Sequence, residues 1–200
     1  MTGLLSMLNP GWLLIAVGLG ALFLPVRRVR QGLTIAAPII AILLISVADR
    51  NVNLLTGHAL GIEMILYRVD NLSYIFGLAF LLAALLNAIY AWHTDDRLQD
   101  GMSIAYAGAA VAATFSGDMM TLFVFWELTA ITSVFLILRA GTRAAYFASM
   151  RYLGVQILSG VLLLAGIGYV YQSRGDLSIS AFTSLNEPGA LLVFIALGIK

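Results

Sequence analysis

Residues 118–138 read Asp118-Met119-Met120-Thr121-Leu122-Phe123-Val124-Phe125-Trp126-Glu127-Leu128-Thr129-Ala130-Ile131-Thr132-Ser133-Val134-Phe135-Leu136-Ile137-Leu138. A bilayer-crossing helix needs about 20 mainly apolar residues, and this run supplies them. One side chain inside it does not belong in hydrocarbon. Glu127 lies about 13 Å along the helix axis from Asp118 at 1.5 Å rise per residue, near mid-bilayer, where an ionised carboxylate costs several kcal/mol unless it is paired or hydrated. Such a residue faces the interior of a bundle. Thr121, Thr132 and Ser133 are the hydroxyls close enough in sequence to hydrate it or hydrogen-bond to it.

Burial favours the protonated acid and a neighbouring cation favours the carboxylate, so the position of one neighbour can decide whether Glu127 holds a proton. That is the physical basis of a proton relay. The alternative is a permanently protonated glutamic acid that serves as an interhelical hydrogen-bond donor.

The rest of the chain agrees with a membrane setting. Of 200 residues, 61% are hydrophobic and 10% are charged, against about 45–50% and about 25% in soluble domains. Ten acids and eleven bases cannot cover so much apolar surface in water. Cysteine is absent, which excludes thiolate metal sites, iron–sulfur ligation, disulfides and a cysteine nucleophile. His58 and His93 are far apart, so no metal or other cofactor is expected. A net charge of +1 leaves no basic patch for nucleic acid. The first apolar stretch has neither a basic leader nor a small-residue cleavage site before Arg27, and reads as a retained helix rather than a signal peptide.

Charged and polar breaks divide the chain into apolar runs at 8–25, 32–48, 70–92, 101–116, 118–138, 147–171 and 188–200, predicting an all-α membrane protein with about seven transmembrane helices. Pro38 is expected to bend the second helix. Arg27, Arg28, Arg30, Arg97, Arg139 and Arg143 fall on one side of this topology and Arg50, Arg68 and Arg174 on the other. That imbalance predicts an outward N-terminus for a multi-pass protein. Residues 49–69 contain Gly57 and Gly61 and read as a small hairpin outside the membrane. The last run starts at Pro188-Gly189 and reaches Lys200 after about 18 Å, roughly half a bilayer core, so the chain is expected to be the first part of a longer bundle.

Lys200 is the only lysine. Arginine keeps its proton at accessible pH, whereas a buried lysine can release one, so a lone lysine in mid-membrane suits titration; the alternative is a chain-terminal residue snorkelling outward. Arg151, about a turn inside the sixth run, is either a fixed cation tuning a neighbour or a snorkelling residue. Gln156 and Ser159 follow it. Asp70 opens the third run, where a carboxylate also suits a helix N-terminus. Asn87 reads as packing glue. Asp95, Asp96 and Asp100 with Arg97 read as a solvated loop without chemistry. His93, beside Trp92, is an interfacial residue or a proton-delivering group at the mouth.

The stretch from Gly117-Asp118 through Phe125-Trp126-Glu127-Leu128 to Phe135-Leu136-Ile137 resembles the fifth helix of the antiporter-like proton-translocating family. That family comprises the large membrane subunits of respiratory complex I, the A and D subunits of Mrp-type cation/proton antiporters and related hydrogenase subunits. Val69-Asp70-Asn71-Leu72-Ser73, Met150-Arg151-Tyr152-Leu153 with Ser159-Gly160, and Leu197-Gly198-Ile199-Lys200 agree in order and spacing, so the resemblance covers about residues 65–200.

The resemblance implies that Glu127 and Lys200 face each other as an ion pair in a proton route, with Arg151 as the basic residue that begins the sixth helix. It also implies a longer bundle with inverted repeats of which only the first part is present, residues 1–100 forming helices 1–3 and residues 101–200 the start of the translocating unit. The implied partners are the other membrane subunits of a hetero-oligomeric complex in a bacterial inner membrane, with protons and Na+ as the transported ions. The motifs around Glu127 and Arg151-Tyr152-Leu153 look nearer the Mrp D-type subunits than those of NADH:quinone oxidoreductase. Neither assignment brings a redox centre, because no flavin, quinone or iron–sulfur signature is present. A non-transporting fragment that keeps the fold but not the route is the third reading.

Overall fold

Helix starts follow from residues that satisfy or dispense with the first backbone N–H groups. A computed structural model describes residues 8–50, 52–59, 62–179 and 187–200. Among them α1 (Pro10–Ala21), α2 (Arg27–Ser46), β1 (Val52–Ala59), β2 (Ile62–Val69), α3 (Asn71–Tyr90, continued by a 3-10 turn over Ala91–His93), α4 (Arg97–Thr114), α5 (Met119–Leu138), α6 (Arg143–Arg174) and α7 (Pro188–Ile199) follow in order. Proline opens α1 and α7, where its missing donor costs nothing and its fixed φ suits a helix. Asp70, Asp96, Asp118 and Thr142 cap α3, α4, α5 and α6 through their side-chain oxygens. Asp70 and Ser73 form a reciprocal capping box, each bond 2.8 Å. The Ser73 N–H holds the Asp70 carboxyl below the usual carboxylate range, helped by the Ser73 hydroxyl and Arg68.

Four helices are long and apolar enough to cross a membrane: α2, α3 with its 3-10 extension, α5 and α6. The apolar α1 and α7 have 12 residues each, and α4 opens with Arg97 and Asp100. By length and composition, four of the seven expected crossings are met among the described residues, and the full count is not confirmed. Pro38 lies inside a continuous α2.

The architecture is mostly rather than wholly helical. β1 and β2 form an antiparallel hairpin with Val52 opposite Val69 and His58 opposite Glu63; Gly61 of the expected hairpin lies outside the described residues. The hairpin is tied to the bend between α4 and α5. Arg68 N–H donates to the Phe115 carbonyl and Gly117 N–H to that of Ile65, each at 2.9 Å. Ile65 N–H donates to the buried Asp118 carboxylate at 2.6 Å. Tyr67 and Phe115, both fully buried, meet edge to face at 5.7 Å, and burial pushes the Tyr67 hydroxyl up to about 12.

Small residues bring α1 against α4. A Cβ at Gly11 would lie 2.5 Å from the Gly108 carbonyl oxygen, and one at Gly18 would lie 2.6 Å from that of Gly101. The two pairs repeat every seven residues, so the backbones touch along one seam. Close approach of this kind drives helix association where lipid removes the hydrophobic difference between partners.

At the opposite end Asp95 and Arg97 are exposed as the sequence suggested, but Asp100 is buried. Arg30 is fully buried; its Nε meets Asp100 at 2.7 Å and its Nη2 meets Asp95 at 2.6 Å. Gln31 donates to the Trp92 and Thr94 carbonyls at 3.0 and 2.7 Å, Arg27 donates to the Trp92 carbonyl at 2.9 Å, and Arg139 pairs with Asp96. The loop lies folded over α2 because its partners there are supplied from 61–70 residues away. Arg30→Ala strands a carboxylate at Asp100, whose side chain is 4% exposed, and is expected to cost about 3–5 kcal/mol. Asp95→Asn, at a side chain 59% exposed, should cost about 1 kcal/mol or less; thermal unfolding of the two variants in one detergent gives the comparison.

Candidate functional site

The far half of the bundle is built on α6, whose buried positions Ser149, Gln156, Ser159, Gly160, Leu163, Gly166, Ile167 and Val170 recur at helical spacing along one face. α7 lies along this face. A Cβ at Gly166 would sit 2.9 Å from the Gly189 carbonyl oxygen, and one at Gly189 3.1 Å from that of Gly166. Seven residues along each helix from that crossing, the fully buried Ser159 hydroxyl donates to the Ala196 carbonyl at 2.9 Å. Arg174 pairs with Glu187 where α6 hands over to α7.

Glu127 projects from α5 onto this face of α6. A Cβ placed on Gly160 would be 2.5 Å from Glu127 Oε1, 2.8 Å from its Cδ and 3.0 Å from Oε2, so the carboxyl occupies the space that a side chain at 160 would need. Oε1 is buried with no hydrogen-bond partner, as are Trp126 Nε1 and Gln156 Oε1. Unpartnered buried polar atoms are uncommon and costly; among the described residues there are four, these three on α5 and α6 and Trp12 Nε1 on α1.

The hydroxyls expected to support Glu127 do not reach it. Thr132 donates to the Leu128 and Thr129 carbonyls at 2.8 and 3.1 Å, Ser133 to the Thr129 carbonyl at 2.6 Å, and Thr121 to Asp118 at 2.6 Å. Back-bonding to the carbonyl one turn earlier is always within reach of a helical Ser or Thr, and it takes these donors away from the carboxyl.

Lys200 arrives at the same place from α7. Its ammonium donates to the Trp126 carbonyl and lies 4.5 Å from the centroid of the Trp126 ring, a cation–π distance. It thus engages the residue that precedes Glu127 and makes no ion pair with Glu127 itself. Glu127 and Lys200, 73 positions apart in sequence, are the two candidates that the fold brings together.

The others stand elsewhere. Arg151 is exposed and donates to the Phe147 carbonyl at 3.3 Å; nine residues before Gly160, it is about half a turn out of phase at roughly 100° per residue and points away from Glu127. Asp70 caps α3 at the hairpin end. His93 is exposed at the arginine-rich end, its Nδ1 2.8 Å from the Tyr90 carbonyl. Among the described residues there is no group of three or more His, Cys, Asp or Glu side chains able to hold a metal. Gly160, Ser159 and the Trp126 carbonyl complete the site. Ser159-Gly160 was visible as a motif, but nothing in its spacing told what it touches.

Residues 116–200 match the family described as NADH:quinone oxidoreductase/Mrp antiporter, TM. The chain is 26% identical over 142 residues to the D-type protein of the Na(+)/H(+) antiporter of Bacillus subtilis, covering 68% of this chain and 29% of that protein. It is 28% identical to the N-type protein of the NADH-quinone oxidoreductase of Pelobacter propionicus, covering 95% of this chain and 41% of that one. Among solved structures it superposes on a chain of the membrane-bound sulfane sulfur reductase, an archaeal respiratory membrane complex, with a TM-score of 0.73 at 19% identity, over 96% of this chain and 44% of the other. That likeness is one of fold. The chain thus spans less than half the length of these relatives.

Because the Thr132 and Ser133 hydroxyls serve carbonyls of their own helix, Thr132→Val and Ser133→Ala are each expected to change stability by no more than about 0.5 kcal/mol, read from thermal unfolding. A loss of several times that would show that the hydroxyls support the carboxyl after all.

Proposed function

We propose that this chain, which belongs to the antiporter-like family of membrane subunits shared by Mrp antiporters and NADH:quinone oxidoreductase, carries a proton relay made by Glu127 and Lys200. The coarse description is direct: a multi-pass membrane protein, and a membrane subunit of an antiporter or complex I-like assembly. The relay rests on one observation. A carboxyl oxygen with no hydrogen-bond partner lies within the bundle, and the only lysine of the chain is bound to the carbonyl of the residue next to it.

The geometry gives this pair two arrangements. With the ammonium on the Trp126 carbonyl and indole face, Glu127 Oε1 is open and can accept a proton. If the ammonium turns to the carboxylate, attraction at about 4 Å is on the order of 4 kcal/mol at an effective dielectric of about 20, enough to hold the pair ionised until a change nearby separates it. Separation leaves each group in apolar surroundings, where the neutral forms are favoured, and the lysine proton leaves. Lysine is suited to this and arginine is not. Arg151, on the outer face of α6, would act on a neighbouring helix rather than on Glu127.

In finer detail the reading is a D-type member of a Mrp-type Na+/H+ antiporter, working with other membrane subunits in a bacterial inner membrane. Its N-terminus faces outward, because the end of the bundle carrying Arg27, Arg28, Arg30, Arg97, Arg139 and Arg143 would be cytoplasmic. Residues 101–200 would begin the translocating unit of a bundle with inverted repeats, behind residues 1–100. A second reading, a proton-pumping component of a quinone oxidoreductase, has support from the similarity to the Pelobacter protein that spans 95% of the chain. Genes adjacent to this one separate the two: small Mrp-type components in one case, quinone oxidoreductase components in the other.

In the intact protein reconstituted in vesicles, Glu127→Gln is expected to reduce coupled proton movement about tenfold or more, equivalent to about 1.4 kcal/mol or more on the barrier, with normal amounts of folded protein. Wild-type acidification by that variant would end the relay assignment. Lys200→Arg should impair transport as well; normal transport would reduce Lys200 to a fixed charge.

A further inference from the structure

Glu127 and Lys200 come from different helices, and neither is held by its own helix alone. α6 touches both. The Glu127 carboxyl fills the space beside Gly160, where a methyl group would come within 2.5–3.0 Å of all three carboxyl atoms. The adjacent residue, Ser159, gives its hydroxyl to the Ala196 carbonyl at 2.9 Å, one helical turn before Lys200. Ser159, Gly160 and Ala196 are buried, Ser159 and Ala196 completely. A second α6–α7 crossing at Gly166 and Gly189 stands seven residues away on both helices, so the register of α7 on α6 is determined at two points.

We infer that Ser159-Gly160 is the positioning element of the site: Gly160 is the seat of the Glu127 carboxyl, and Ser159 is the anchor that sets the depth at which α7 delivers Lys200. This rests on the reading of Glu127 and Lys200 as a relay pair and adds the part that sets their separation. Two chemical facts make the assignment specific. Only glycine leaves room for the carboxyl at 160. At 159, a hydroxyl is the smallest side chain able to donate to a carbonyl on the facing helix, and a carbonyl with two lone pairs can accept it whatever else it binds. Loss of that bond frees the segment that carries Lys200, and a Cβ at 160 drives the Glu127 carboxyl out of its seat.

The test is a double-mutant cycle in the intact protein, read both as thermal unfolding in detergent and as proton movement in vesicles. Gly160→Ala is expected to be less favourable to the unfolding midpoint when Glu127 is present than in the Glu127→Ala background, where no carboxyl competes for the space and the higher helix propensity of alanine is expressed. If Gly160→Ala alone fails to accumulate, recovery of folded protein on adding Glu127→Ala is the same result. Glu127→Asp, shorter by one methylene, should make Gly160→Ala nearly silent in transport, the double variant moving protons as fast as Glu127→Asp alone. Ser159→Ala should slow transport about tenfold, the equivalent of about 1.4 kcal/mol, and should have no further effect in the Lys200→Ala background. An equal stability effect of Gly160→Ala in both backgrounds, or additive transport losses, would overturn the assignment. The relay reading fails separately, through normal transport by Glu127→Gln, because the stability coupling of Gly160 to Glu127 is measured without transport.

Discussion

A buried charge has to be matched on the spot or moved, and the two ends of this constraint are both present in one bundle. Arg30 is the matched case. Its guanidinium presents several donors in a fixed plane and takes two carboxylates, Asp100 on Nε and Asp95 on Nη2. With Gln31 and Arg27 closing on the carbonyls at 92 and 94, helices α2, α3 and α4 meet at this end in one arrangement. Removal of any central member leaves an uncompensated charge, which is why such a cluster specifies geometry even where its net contribution to stability is small. Nothing in it is left open to react.

Glu127 is the unmatched case. Its Oε1 is buried beside Gly160 of α6 without a hydrogen-bond partner, and Lys200 is committed to the Trp126 carbonyl and indole. A bundle that can satisfy Arg30 so completely does not leave a carboxyl open for want of polar residues; Thr121, Thr129, Thr132 and Ser133 lie on the same helix and are used elsewhere. That open carboxyl oxygen is the observation on which the proposed relay rests.

Glycine contacts place these groups in depth. Between α1 and α4, and again between α6 and α7, close approach at seven-residue intervals sets the register of one helix on the next. Without a hydrophobic difference between helix and lipid, shape is what remains to select a register. In α6 and α7 that register fixes how far Lys200 travels into the bundle, so packing and chemistry are joined there.

What could be read from the chain beforehand was whatever depends on distance along a helix. Depth made Glu127 costly, the apolar runs located the helices to within a few residues, the break after Asp49 marked the hairpin, and Asp70 had the spacing of a cap. Misreadings arose where a partner lies far off in sequence. Asp100 looked solvated because Arg30 is 70 residues upstream, and Thr132 and Ser133 looked like supports for Glu127 because proximity in sequence does not reveal that a helical hydroxyl finds its own backbone first. By itself, then, the amino-acid order determined a membrane bundle of mostly helical elements with one carboxylate and one lysine at costly depths, because hydrophobic transfer and helix rise act residue by residue. Only the tertiary structure decided that Lys200 rests on the Trp126 carbonyl, that Arg151 faces away, and that Gly160 seats the Glu127 carboxyl. Those contacts depend on the register between helices, and register is set by steric fit between surfaces that no single stretch of sequence contains.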